Sequence, residues 1–208
     1  MTRDEMKTFT TSVLGGEELG DTLFDTLLNS VRSNRENERP WRKLVKEDSS
    51  KTATSSNVFT TAHSLPSDFR RALPRRAVVL VSTTDSNDFL EYEEVLFENR
   101  FQRQNSSGFF FIDHANNNLH LAGTLDKSYV IHLFYIYNPG DITNSNAWPF
   151  PSEFHPILPY DIAAVHKGGI DYDDTNARMA PEDRAAARAI HNAMIKWDTE
   201  LMLTSLNM

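Results

Sequence analysis

Histidine is the side chain most often recruited for metal binding and for acid–base work near neutral pH. This chain carries seven: His63, His114, His120, His132, His155, His166 and His191. His120 and His132 fall on neighbouring predicted strands, shortly after Asp113-His114, and a β-sandwich can assemble imidazole and carboxylate ligands from adjacent strands. Local spacing gives no support, since no H-x-H, H-E-x-x-H or H-x3-H pattern fixes two ligands on one element. The seven read as scattered surface or hydrogen-bonded histidines. Carboxylates cluster at Glu91, Glu93, Glu94 and at Asp171, Asp173, Asp174, but general acid–base catalysis needs perturbed carboxyls in a cleft, not abundance. The run from Asp171 superficially resembles a calcium loop yet places Asn176 where the sixth-position glycine belongs. It reads as a solvated loop before a helix.

The missing residue types say more. With no cysteine the chain has no thiol nucleophile, thiolate zinc site or iron–sulfur centre. Its serines form no G-x-S-x-G elbow, and its eight glycines form no G-x-G-x-x-G or G-x-x-x-x-G-K-[ST] phosphate cradle. The expectation is a protein without an active site, metal or cofactor. Against 29 Asp plus Glu stand 21 Lys plus Arg, a net charge of −8, which argues against a broad basic surface coating nucleic acid. One concentrated positive patch stands out, Arg70, Arg71, Arg75 and Arg76. It reads as a solvated turn, or as contacts for phosphates or for acidic surface on a partner. Residues 141–208 carry 5 basic and 10 acidic side chains, a net of −5. No uncharged apolar run approaches the ~18 residues of a membrane span and the N-terminus lacks a signal-peptide core, so a soluble protein is expected.

The elements that would position these residues change character along the chain. Leu19, Leu23, Phe24, Leu27, Leu28 and Val31 make one helical stripe over Glu17–Ser33. Ser49–Thr61 is rich in Ser and Thr and predicts two extended strands joined near Ser55–Asn57. Val78–Val81 reads as a buried strand and Phe109–Ile112 with Leu119–Leu121 as a hairpin. Tyr129–Tyr137 is the strongest strand, ended by Asn138-Pro139-Gly140. Asp88–Arg100 fits helix and strand equally. Ile157–His166 predicts a short helix stopped by Gly168-Gly169, and Pro181-Glu182-Asp183 opens a long one with a stripe of Ala186, Ile190, Ala193, Met194, Trp197 and Leu201. Helix at both ends and strand between give an α+β fold: a helical domain from 1–43 and 154–208, with an antiparallel β-sandwich-like domain, 44–153, inserted. The polar stretch Asp141–Trp148 and the tail after Leu203 are expected to order only against a partner.

Four stretches, in order, carry a resemblance: Arg39-Pro40-Trp41 with Leu44; Leu65-Pro66-Ser67-Asp68-Phe69; the hairpin and strand Phe109–Tyr137; and Phe150-Pro151-x-x-Phe154-His155-Pro156-Ile157-Leu158 leading to the terminal helix. Over about residues 17–205 the chain resembles the head-to-tail adaptor (connector) proteins of tailed bacteriophages, of the podovirus tail tubular protein A kind. The resemblance implies a non-catalytic virion protein of the neck or tail, made in the host cytoplasm. It also implies a ring of twelve copies between the portal protein and a downstream tail or nozzle protein, with DNA passing through the lumen unbound. Trp41, Leu44, Leu65, Pro66, Phe69, Phe154, Leu158 and Trp197 would be structural anchors, and no membrane is involved. Two alternatives stand beside it. One is a metal- or carbohydrate-binding β-sandwich using His120 with His132, or Tyr129, Tyr135, Tyr137 and Trp148 as exposed stacking rings. The other is a tail-completion or tail-tube ring protein.

Overall fold

In the computed structural model, residues 1–54, 58–74, 76–167 and 181–205 are described. The expected joint at Ser55–Asn57, Arg75, the stop at Gly168-Gly169 and the acidic loop Asp171–Asn176 lie outside them. Among the described residues the fold is mixed α and β, with five α-helices and a large, nearly closed, mostly antiparallel sheet of eight strands. The helices are α1 Arg3–Val13, α2 Asp21–Asn37, α3 Arg100–Arg103, α4 Ile157–His166 and α5 Pro181–Ser205. The strands are β1 Val45–Ala53, β2 His63–Ser64, β3 Phe69–Ala72, β4 Val78–Ser82, β5 Phe89–Glu94, β6 Phe109–Asp113, β7 Asn118–Leu121 and β8 Tyr129–Tyr137. The chain divides into two compact units, Met1–Leu44 with Pro139–Met208 and Val45–Asn138. Residues 139–153, which the sequence pattern groups with the strands, therefore belong to the helical unit.

The strand unit is built on β8. Its inward residues Tyr129, Ile131, Leu133 and Tyr135 alternate with half-buried ones, the period of a pleated strand with one face in the core. One edge pairs with β1, from Val45 opposite Ile136 to Ala53 opposite Tyr129, with a bulge between Asp48 and Lys51. Asp48 stabilises that bulge by accepting from the Ser50 amide (2.9 Å) and the Lys51 ammonium (2.5 Å). The other edge pairs with β4 and then β3. The ladder continues from β4 through β5, β6 and β7 to β2. One pairing departs from the antiparallel expectation: β5 and β6 run parallel at Glu93 opposite Phe109 and Glu94 opposite Phe110. The β6–β7 turn is closed by Asp113, which accepts the Ala115 and Asn116 amides at 3.1 and 3.2 Å. Gly123 has φ +88°, and a Cβ there would lie 2.6 Å from the Ser107 nitrogen, so only glycine fits.

Several elements differ from the sequence expectation. Val58–Thr60 is a 3-10 turn, not a second Thr-rich strand, because threonine's strand preference depends on finding a sheet neighbour. Asp88–Arg100 resolves into β5 followed by a 3-10 turn and the short α3. Helix α2 starts at Asp21 and runs on through the polar Asn34–Asn37, where Glu36 is completely buried and lies 3.8 Å from the Arg32 guanidinium one turn earlier. Helix α1 was not anticipated. Its start is a capping box, with the Glu5 amide donating to Thr2 Oγ1 and the Thr2 amide donating to the Glu5 carboxylate. On α5 the buried face runs through Ala187, Met194 and Asp198, while Ala193 and Leu201 are exposed, a rotation from the expected stripe. Asp141–Trp148, expected to need a partner for order, is held within the unit. Ile142 and Trp148 are buried, the Thr143 amide donates to Asn146 O (2.9 Å), and Arg32 pairs with Asp141 (3.2 Å).

Because β8 is paired along both edges and Ile131 is 1% exposed, truncating that side chain opens a cavity that neighbouring strands cannot close. Ile131→Ala is expected to lower the unfolding free energy by about 2–5 kcal/mol, read by denaturant titration of the far-ultraviolet dichroism.

Candidate functional site

The anchors named from the sequence fall into two clusters, one in each unit. In the helical unit, Trp41, Leu44 and Leu158 are completely buried and Phe154 nearly so. Trp41 donates its indole N–H to Arg35 O (2.6 Å) and meets Phe150 edge-on at 5.4 Å. Phe150 lies 4.3 Å from Trp148, and the half-buried Trp197 of α5 packs on Phe154 at 5.6 Å. Such offset and edge contacts suit the ring quadrupoles. Ion pairs run beside these rings. Arg35 grips Asp161 of α4 with two donors at 2.6 and 2.8 Å. Asp198 of α5, 1% exposed, accepts the Arg42 amide (2.7 Å) and pairs with Arg39 (3.0 Å). Burial pushes the Asp161 carboxyl up, opposed by the Arg35 donors.

In the strand unit, Leu65 is buried and donates its amide to Asn117 O (2.9 Å), and Pro66 O accepts the Phe69 amide (3.0 Å), closing a turn. Phe69 stacks on Tyr135 at 5.7 Å. Between them Asp68, which sequence reasoning did not select as an anchor, is the hub. It accepts from the Tyr135 hydroxyl (2.9 Å) and the Lys46 ammonium (2.6 Å), while its carbonyl accepts the Asn138 amide (2.7 Å). Burial works to raise the Asp68 carboxyl, but the Lys46 and Tyr135 bonds overcome it and hold it below the usual carboxylate range. Burial, then Asp68, push the Tyr135 phenol well above its ordinary value.

The basic patch is not one grip. Arg70 and Arg71 lie half-buried on β3, and Arg76, in the left-handed region at φ 50°, pairs with Glu91 at 3.1 Å. The imidazole pair also separates. His120 is on β7 and His132 on β8, and β4, β5 and β6 lie between those strands in the ladder. His132 contacts Glu47 at 2.5 Å, whereas His120 stacks flat on Phe111 at 4.8 Å. Among the described residues no three His, Cys, Asp or Glu side chains converge as metal ligands. Tyr129, Tyr135 and Trp148 are buried and Tyr137 is half-buried, so they form no exposed stacking platform for a sugar. No helix among the described residues is long and apolar enough to cross a membrane.

What the strand unit does expose is an apolar surface. Leu96, Phe97 and Phe101 are 64%, 43% and 59% exposed on the segment between β5 and β6. Arg100 lies over both phenyl rings, 3.7 Å from the Phe97 centroid and 4.3 Å from that of Phe101. Beneath them Phe59 and Phe111 complete the stack. Beside β5 is a cleft of about 490 Å³ floored by Leu73, Tyr92 and Phe110 and edged by Glu93 and Glu94. Exposed aromatics around arginine are the composition of protein-recognition surfaces. The apolar residues of 89–101 were visible in the sequence, but with no clear period they gave no face. Among known proteins, the chain matches no family model and no curated sequence.

The Asp68 hub yields a pH prediction. A depressed carboxyl contributes stability above its unfolded value, near pH 4, and that stability is lost as pH falls through the folded value. Asp68→Ala is expected to cost about 1–3 kcal/mol at pH 7, because the buried Tyr135 hydroxyl loses its acceptor. The gap between wild type and Asp68→Asn should narrow below about pH 4, measured by urea titrations across that range.

Proposed function

We propose that this chain is the subunit of a ring-shaped head-to-tail adaptor in a tailed-bacteriophage virion. On this reading the helical domain built from both ends of the sequence forms the ring, and the inserted strands are a β-sandwich-like domain turned toward a neighbour. The ring, of twelve copies by resemblance, bridges the portal protein and a downstream tail or nozzle protein, performs no reaction and lets DNA pass without specific contact. The observation that carries the proposal is the interruption of the helical unit, Met1–Leu44 with Pro139–Met208, by the strands of Val45–Asn138. That is the layout the ordered motifs imply, with Trp41, Leu44, Phe154 and Leu158 in its buried interior.

Charge is consistent with the role. A channel wall of negative sign repels phosphates and keeps exiting DNA from sticking. Residues 141–208, with 5 basic and 10 acidic side chains, supply that wall or a portal-facing surface. A ring closes only through two unlike faces on each subunit, and the exposed Leu96–Phe101 surface is one such face.

The test is direct imaging. Purified protein, alone and mixed with a phage portal protein, is examined by negative-stain microscopy and native mass measurement. Rings about twelve copies in size that seat on the portal, and no retention of duplex DNA at about 0.15 M salt, are the expected result. Monomers that ignore the portal, or a lumen lined by basic residues, would overturn the proposal.

A further inference from the structure

The strand unit leaves opposite charges uncompensated on two neighbouring features. Arg100 and Arg103 have no carboxylate partner among the described residues. Their guanidinium groups lie instead over Phe97, Phe101 and Phe109, with one Arg100 donor on Phe97 O. Elsewhere in the chain Arg3, Arg32, Arg35, Arg39 and Arg76 all meet carboxylates. Glu93 and Glu94, at the end of β5, likewise have no ion-pair partner among the described residues, and they line the cleft beside Tyr92 and Phe110, where the one arginine, Arg76, is already paired with Glu91. Tyr92 is 3% and Phe110 1% exposed, so the cleft has a closed aromatic floor. No ion pair within the chain joins the two sets.

We infer that the Phe97–Arg100–Phe101 knob of one copy seats in the Glu93–Glu94 cleft of a second copy. The contact would bury the exposed rings and pair Arg100 and Arg103 with the two glutamates. The knob is preorganised, since Phe101 rests on Phe59 and Phe97 on Phe111, each at 5.9 Å, so little side-chain entropy is lost on docking. A nucleic acid is a poorer occupant. Two arginines engage few phosphates, and a chain of net charge −8 repels the rest. The inference rests on the ring reading, for which knob and cleft are the two unlike faces of a head-to-tail contact.

A reciprocal charge swap in the full chain tests it by sedimentation velocity at low and high salt. One variant carries Arg100→Glu with Arg103→Glu, the other Glu93→Lys with Glu94→Lys. Each alone opposes like charges in every contact and should weaken self-association at least ~10-fold. Mixed in equal amounts, each variant's altered face meets the other's, and association should return to the wild-type level; that recovery also shows that both variants are folded. Either variant associating like wild type alone, or a mixture that stays dissociated, would overturn the inference. Wild-type rings indifferent to both swaps would refute this contact and leave the ring reading standing. A wild-type assembly that responds to the swaps but never closes into rings would refute the ring and keep the contact.

Discussion

Residues Tyr129–Tyr137 are hydrogen-bonded along both edges, to β1 on one side and to β4 and β3 on the other. Every other part of the strand unit is placed relative to that strand. Four of its side chains face the core alongside residues of the other strands, and a one-residue slip would turn all four outward. The ladder also sets Val45 opposite Ile136, so the first residue of the strand unit lies beside nearly its last. The closure entropy of that long loop is met once, by the β1–β8 hydrogen bonds and the burial behind them. The chain then leaves the sheet where it entered, which is the condition for one helical unit to be assembled from two separated segments.

Inside the helical unit the organising feature is a set of rings and charges contributed from far-apart sequence positions. Trp148 donates to the buried Glu36 at 3.1 Å, and Glu36 in turn faces Arg32. Buried carboxylates of this kind are costly unless every oxygen is engaged, and Glu36, Asp161 and Asp198 each have named partners. They confer specificity of docking, because a helix that shifted by a turn would strand a charge. The strand unit pairs most of its charges too, as at Lys46–Asp68, Lys51–Asp48 and Arg76–Glu91, with one local exception. Its 97–103 segment keeps Arg100 and Arg103 over the rings of Phe97, Phe101 and Phe109 instead of against carboxylates.

Legibility followed locality. β4, β8, the β6–β7 hairpin and α4 were readable because their signals lie within a few residues: alternation, β-branching, an Asn turn, a dense apolar stripe. The capping box of Thr2 and Glu5 was equally local but was passed over in a segment weak in apolar periodicity. β5 was ambiguous for a physical reason, since Tyr92 is its only buried residue and one inward side chain defines no period. Asp68 was beyond reach. Its partners Lys46 and Tyr135 lie 22 and 67 positions away, and nothing in the Leu-Pro-Ser-Asp-Phe string announces them. His120 and His132 show the converse: they are close in sequence, yet β4, β5 and β6 lie between their strands in the sheet, which no local spacing reports.

The split helical unit also imposes an order of birth. Helices α1 and α2 leave the ribosome before the strands, carrying Met6, Phe24 and Leu28, each at most 1% exposed in the finished fold. Their partner α4, on which α5 then packs, follows only after all eight strands. At roughly 5–20 residues per second the apolar faces of α2 wait about 6–24 s for α4, while the contiguous strand unit can already condense. The nascent protein therefore matures from its middle outward, and its most vulnerable moment falls between completion of the sheet and arrival of the last helix.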